Sequence, residues 1–387
     1  MVRIGEISIE GEARSSSSRL VRLRDRVMAR NGSFVDDFNP YLRDVALWRA
    51  MKPPRSCVQV RAALLYEVVA LAPIVIPLDW TLAGEHLIHR HLGTGFGFNH
   101  KNLSDAMSHL AALGVSGDDV CSVAEAVRCW TASNPTPLEI GTAGEHAGNV
   151  STGWANADGA IAASGWMENH SVRDFAKVLR LGFKGIRAEI EALLESANIA
   201  DADFPQKENF WLAALEVCDA GVLLGRLYAK KAVELARTVT GPADKRRLEQ
   251  MAKTCERVPA EGARTFFEAV QALWFAHILT CGEDGINANS IGRLDQILWP
   301  YYEADLKTGR ITRADALTIM DEFACKMYLD YDVQAIVLGG VDTAGRDAVN
   351  ELTYVILDAT EDAGLIRDLS IRSVSWVRPT LPTRLPH

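Results

Sequence analysis

The stretch PAEGARTFFEAVQALWFAHILTCGEDGINANSIGRLDQILWPYYEAD, Pro259 to Asp305, decides the fold of this 387-residue chain. It opens as a helix with a thick apolar stripe, breaks at a polar, glycine-bearing loop from Cys281 to Ser290, and resumes as a second amphipathic helix. Trp274, Phe275 and His277 fall on the stripe and read as core. The loop is where chemistry would sit, because loops held by rigid elements carry most binding residues.

Toward the C-terminus a helix is expected over Thr312–Leu329. The apolar run in DVQAIVLGGVD (332–342) reads as a strand, DAVNELTYVILDATEDA (347–363) as a helix, and LSIR (369–372) as a second buried strand. Toward the N-terminus, helices are expected over Arg19–Arg30 and Ser56–Leu71. PIVIPL (73–78) reads as a strand or extended crossing, and 92–104 as a glycine-rich loop. Residues 131–169 are small, glycine-rich and weakly periodic, a long functional or packing loop. A helix follows with Ser171 as its expected N-cap and Asp174 three positions on, then a long helix or helical pair over 205–240. Gly241-Pro242 ends it before a further helix. The first two-thirds is therefore mostly helical, and the helix–strand alternation at the end makes the class α/β.

Composition bounds the function. The chain is 48% hydrophobic and 24% charged with net charge −9, which argues against a general nucleic-acid or anionic-membrane binder. No run approaches the roughly 18 apolar residues of a membrane span, and the N-terminus lacks a basic-then-apolar signal pattern. Seven scattered cysteines without C-x-x-C spacing read as reduced thiols of a cytoplasmic protein.

Four clusters invite a chemical reading. In Glu85–His91 (EHLIHRH), His86 and His89 are one helical turn apart and so suit a shared metal ion, but no Glu-His pair has zincin spacing; we read a polar surface run. Cys281 and Glu283 pair a thiol with a carboxylate, the residue types of a hydrogen acceptor and a base. The plainer reading, which we adopt, is that Cys281 ends the apolar stripe. Gly339-Gly340 lacks a phosphate-loop pattern and reads as a tight turn. His170, immediately before a helix N-terminus, stands where a polar ligand is favoured.

At this point several blocks, in order, resemble one family. They are SSRLVRLRDRV, RAALLYEVVA with PIVIPLDWTLAGE, HSVRDFAKVLRLGFKGI, RLYAKKAVELA, ARTFFEAVQALWFAH, SIGRLDQILWPYYEADLKTGRIT, GGVDTAGRDAVNELTYVILDA and LSIR. Together they span about residues 18 to 372 and resemble the glycyl radical enzymes of the pyruvate formate-lyase-like superfamily, nearest to its dehydratase and lyase branches. The resemblance implies a ten-stranded α/β barrel in a chain roughly twice this length, so the expected fold is a predominantly helical N-terminal portion plus about half of that barrel. It implies lyase chemistry on a small polar substrate: a glycyl radical, installed by a separate radical S-adenosylmethionine activating enzyme, passes to a cysteine whose thiyl abstracts hydrogen while a glutamate acts as base. In the family both radical loops follow the LSIR strand. No glycine motif of that kind occurs here, and Cys281-Gly282-Glu283 lies in an earlier block, so no catalytic residue, metal or cofactor is assigned to this chain.

The resemblance also carries over pocket positions. The residue before the SVRDFAKVL-like helix contacts substrate in the dehydratase branch, and here it is His170. A His-Ser pair of that branch falls on Asn287 and Ala288, so a glycerol-type diol is not the expected substrate, while Asn287 retains hydrogen-bonding capacity. Ser290, Arg293, Asp295 and Gln296 read as structural. The expected organisation is a flexible lead-in (1–18), an N-terminal part of a pyruvate formate-lyase-like domain (19–372) and a non-homologous Pro-rich tail (373–387). Expected partners are a small-molecule substrate, a C-terminal-half polypeptide, the activating enzyme and further copies of the chain. The competing reading is a non-catalytic remnant or partner-binding helical scaffold.

Overall fold

Residues 18–32, 39–87, 103–133, 172–284, 289–328, 335–364 and 369–372 are described by a computed structural model. In chain order they form α1 (Ser18–Gly32), α2 (Leu42–Met51), α3 (Cys57–Leu71), α4 (Leu103–Ala112), α5 (Val120–Ser133), α6 (Phe175–Ser196) and α7 (Phe204–Thr238). There follow α8 (Pro242–Arg257), α9 (Phe266–Asp284), α10 (Leu294–Lys307), α11 (Arg313–Met327), β1 (Ile336–Gly339), α12 (Glu351–Ala363) and β2 (Leu369–Arg372).

Helix α9 sits at the centre. Every residue from Ala269 to Leu279 is buried, so its apolar character wraps the helix rather than forming a stripe. A helix apolar on all sides must be enclosed, and α3, α6, α7, α8, α10 and α11 all pack against it. The long α7 joins α8 in a hairpin and also packs on α3, which leans on α2. A smaller cluster of Tyr41, Val45, Ala106, Leu110, Val115, Val120 and Val123 seals the α2–α5 corner.

Local signals set the boundaries. Ser56 caps α3 through a reciprocal pair with Gln59, and Thr312–Asp315 and Asn350–Thr353 do the same for α11 and α12. The cap of α6 is Asp174, whose carboxylate accepts from the Lys177 N–H at 3.0 Å. The expected cap, Ser171, lies outside the described residues; the helix begins at Phe175, and Asp174, read as the partner of that cap, holds the N-cap position. PIVIPL belongs to no helix and pairs into no ladder among the described residues.

Strands β1 and β2 pair in parallel, Ile336 opposite Leu369 through Gly339 opposite Arg372. Gly292, just before α10, adds a parallel bridge to Ile336 on β1. Both expected strands thus exist and share a sheet with crossover α12 between them, as parallel neighbours require. The 1–17 and 373–387 segments lie outside the described residues.

Helix α6 is broken internally at Gly182, where φ is 65°. There the chain 259–263 docks: Phe183 N–H donates to Pro259 O, Lys184 N–H to Ala260 O, and Ala263 N–H to Leu179 O. A Cβ at Gly182 would lie 2.3 Å from the Glu261 carbonyl carbon. Gly182→Ala should therefore cost about 3 kcal/mol, the sum of an unfavourable φ and a backbone clash. Urea unfolding checks this; a change below about 0.5 kcal/mol would mean the docking is not rigid.

Candidate functional site

Residues Trp80 to His86 (WTLAGEH) form no helix or strand, yet most are buried in the core. Buried backbone without regular pairing must find side-chain partners, since each unsatisfied group costs about 1–3 kcal/mol. Four helices supply them, α8 through Arg247, which donates to Trp80 O at 3.3 Å. From α11, Glu322 accepts from Thr81 N–H (2.6 Å), Thr81 hydroxyl (2.6 Å) and Leu82 N–H (2.5 Å), and is bound by the Arg19 guanidinium of α1. From α9, Gln271 accepts from Ala83 N–H at 2.8 Å and donates to Ala83 O at 2.9 Å. Trp274 Nε1 donates to Gly84 O at 3.1 Å. From α7, the Tyr228 hydroxyl accepts from Glu85 N–H at 2.9 Å.

Lys326, one turn after Glu322, completes the column. Its ammonium donates to Gly84 O at 2.6 Å and pairs with Glu85 at 3.3 Å, 4.3 Å above the Trp80 ring. Both ionic groups are buried, and a buried pair holds only when every remaining donor and acceptor is engaged. Gly84, at φ 112°, lets Trp274 approach: a Cβ there would stand 2.6 Å from the indole nitrogen.

Beyond Gly84 the column turns aromatic and then sulfur-bearing. His86 packs edge-on against Trp274 (5.5 Å) and His277 (6.2 Å). His277 Nε2 is 3.5 Å from Cys281 Sγ, and Asn289 Nδ2 donates to the same sulfur at 3.6 Å. Asn289 is the first described residue after 285–288, so the Cys281 thiol anchors the loop's return. After it, Ile291 and Gly292 N–H both donate to Ala335 O, and Val337 N–H donates to Gly292 O, fastening the chain to β1.

Three side chains then lock the turn after β1. Arg293 donates to Gly339 O (2.7 Å) and Val341 O (2.9 Å), and Gln296 donates to Ala348 O (2.6 Å). Buried Asp295 accepts from Gly339 N–H (2.8 Å) and the Thr353 hydroxyl (2.7 Å). The structural role read for these three residues is what the geometry shows. Gly339 and Gly340 both have positive φ, but the turn enters a short Val341–Asp347 bridge before α12 rather than the helix directly.

Two readings of this region need correction. His86 is 2% exposed and lies in irregular backbone, so the polar surface run fails there, and with it the helical spacing that suggested a metal site. His89 and His91 lie outside the described residues. Cys281 belongs to α9 and not to a loop, because the helix runs on to Asp284; it ends the apolar core, as the plainer reading had it. No group of three metal-ligating side chains occurs among the described residues.

The pocket candidates His170, Asn287 and Ala288 also lie outside the described residues, but their flanks meet. Val172, two residues after His170, packs on Gly292, where an added Cβ would be 2.7 Å from Val172 Cγ1. Gln271, Glu322 and Lys326 were missed by sequence reading. For Gln271 the signal was a lone polar residue inside an enclosed apolar stretch, which must have a partner; Glu322 and Lys326 stand on a helix with several other charged residues and carry no such signal.

An irregular buried segment, a central apolar helix and a chain fastened to a parallel strand together define a mostly helical α/β scaffold. The profile of the pyruvate formate lyase-like family matches residues 161–368, and the chain belongs to that family. It is 38% identical to isethionate sulfite-lyase of Nitratidesulfovibrio vulgaris over 209 residues, covering 49% of this chain and 25% of that protein. The glycerol-bound B12-independent glycerol dehydratase of Clostridium butyricum superposes with TM-score 0.70 at 25% identity, over 93% of this chain and 48% of that one. A glycyl radical enzyme of Archaeoglobus fulgidus does so with TM-score 0.65 at 25% identity, over 92% and 48%. The chain thus spans about half the length of these solved structures and a quarter of the curated relative.

Thiol chemistry distinguishes this arrangement from one with a reactive Cys281. Burial pushes the Cys218 thiol up to about 11 and that of Cys325 up to about 12, where the Glu322 and Asp321 carboxylates add to it. Burial raises Cys255 as well. Titration of the native protein with a disulfide reagent should modify exposed Cys57 and Cys121 and, more slowly, half-buried Cys129. Cys218, Cys255, Cys281 and Cys325 should react only on unfolding. Peptide mapping of a fast-reacting Cys281 would contradict the site as described.

Proposed function

We propose that this chain acts as the N-terminal part of a glycyl radical lyase or dehydratase, in the cytoplasm, on a small polar substrate. It would contribute the helical shell, half of the barrel and one side of the pocket. The observation that supports this best is the meeting of Val172 with Gly292. Val172 follows His170 by two residues and Gly292 follows Ala288 by four, so the meeting of Val172 and Gly292 beside β1 supports reading the two segments as parts of one pocket. His170 would donate to or accept from a substrate hydroxyl, and Asn287 would add an amide contact.

The glycyl radical, when present, supplies a thiyl that abstracts hydrogen from the substrate. The residues that would carry radical and thiyl have no counterpart at Cys281, which is enclosed between His277 and Asn289. They would come from a further segment, and the two-stranded sheet of β1 and β2 would extend with it toward the family's barrel. The role of this chain is then to seat the substrate and exclude water while the radical is in play.

The test combines the chain with a polypeptide bearing the family's Cys and Gly loops, the activating enzyme and S-adenosylmethionine under anaerobic conditions. Electron paramagnetic resonance should show a glycyl radical, and His170→Ala should keep the radical yield while lowering kcat/KM about 10- to 100-fold. No radical in the assembled mixture would overturn the proposal, and an unchanged kcat/KM would remove His170 from the pocket.

A further inference from the structure

The hairpin of α7 and α8 carries a groove unrelated to the column described above. It encloses a cavity of about 640 Å³, within the size range of small-molecule sites. Five basic side chains line it (Arg226, Lys230, Arg237, Lys245 and Lys253) against two carboxylates, Glu249 and Glu256. This excess of positive charge stands on a chain whose net charge is −9.

Elsewhere arginines are commonly engaged: Arg55 with Glu216, Arg187 with Glu191 and Asp219, Arg257 with Glu261 and Glu268. In the groove, Arg226, Arg237, Lys245 and Lys253 make no side-chain hydrogen bond or ion pair among the described residues. Lys230 reaches only Glu234, at 4.0 Å. Arg226 and Lys230 are one turn apart, a spacing at which like charges repel. Lys245 sits four residues into α8, near the positive end of the helix dipole, where a cation is disfavoured. An anion in the groove would relieve both costs.

The floor decides the kind of anion. It is made of Ala229, Val233, Ala236 and Ala252, small apolar residues with no aromatic ring or amide to read a base or seat a large side chain. A protein helix would lack a pocket for an anchoring residue. A compact, multiply charged group matches better, because cations on two facing helices engage it together. We propose that the α7–α8 groove binds a small molecule bearing two or more linked phosphates, its organic body lying on the alanine floor.

The test is calorimetric titration of the purified chain with inorganic tripolyphosphate and with orthophosphate at matched ionic strength. Tripolyphosphate should bind saturably at one site, at least tenfold tighter than orthophosphate, and more weakly as salt is raised. The double reversal Lys245→Glu/Lys253→Glu should lower that affinity at least tenfold with an unchanged circular dichroism spectrum. Reversal of Arg128, paired with Glu125 on α5, serves as the charge control and should leave affinity unchanged. Non-saturable binding, equal affinity for the two phosphates, or an equal loss in the Arg128→Glu control would each overturn the proposal.

Discussion

The segment Trp80–His86 has no regular backbone pairing and is nevertheless buried, and this constraint organises the molecule. Its backbone groups are met by Glu322, Gln271, Trp274, Lys326, Tyr228 and Arg247, which come from α11, α9, α7 and α8. Those helices cannot shift independently, since each holds a part of the same strip of chain. Hydrogen bonds to charged groups contribute about 1.5–3 kcal/mol each, and losing a charged partner here would also strand a buried opposite charge.

The column also explains why the loop after α9 is placed as it is. Trp274 and His277 stand on the same helix as Gln271, so the helix that satisfies the buried strip also presents His277 and Cys281 to Asn289. From there Gly292 joins β1, and Arg293, Asp295 and Gln296 secure the turn beyond it. A rigid core thus ends in an anchored loop, the arrangement that binding sites require of their supporting elements. The cationic α7–α8 groove lies on other faces of α7 and shares none of these contacts.

Much of this was legible in the sequence because it is governed by local period and capping. The long helix over 205–240, the stop at Gly241-Pro242, both strands and the helix starts at Ser56 and Thr312, where the structure shows capping boxes, follow from such rules. Residues Arg293, Asp295 and Gln296 were readable as structural from their place in a family block. The burial of Glu85 and His86 was not, because polar residues in a short irregular run look solvent-facing, and the partners of Glu85, Lys326 and Tyr228, lie 241 and 143 positions away. Periodicity likewise overextended the loop: Cys281 to Asp284 continue α9, since glycine at 282 is tolerated where Leu65 and Leu87 close over it.

Native-state hydrogen exchange at Thr81, Leu82, Ala83 and Glu85 tests the central constraint most directly. Amides held by Glu322, Gln271 and Tyr228 should exchange only by global unfolding, with the same free energy as the amides in the middle of α9. Exchange at the rate of an open loop, such as residues 52–55 between α2 and α3, would mean that the buried strip does not tie the helices together.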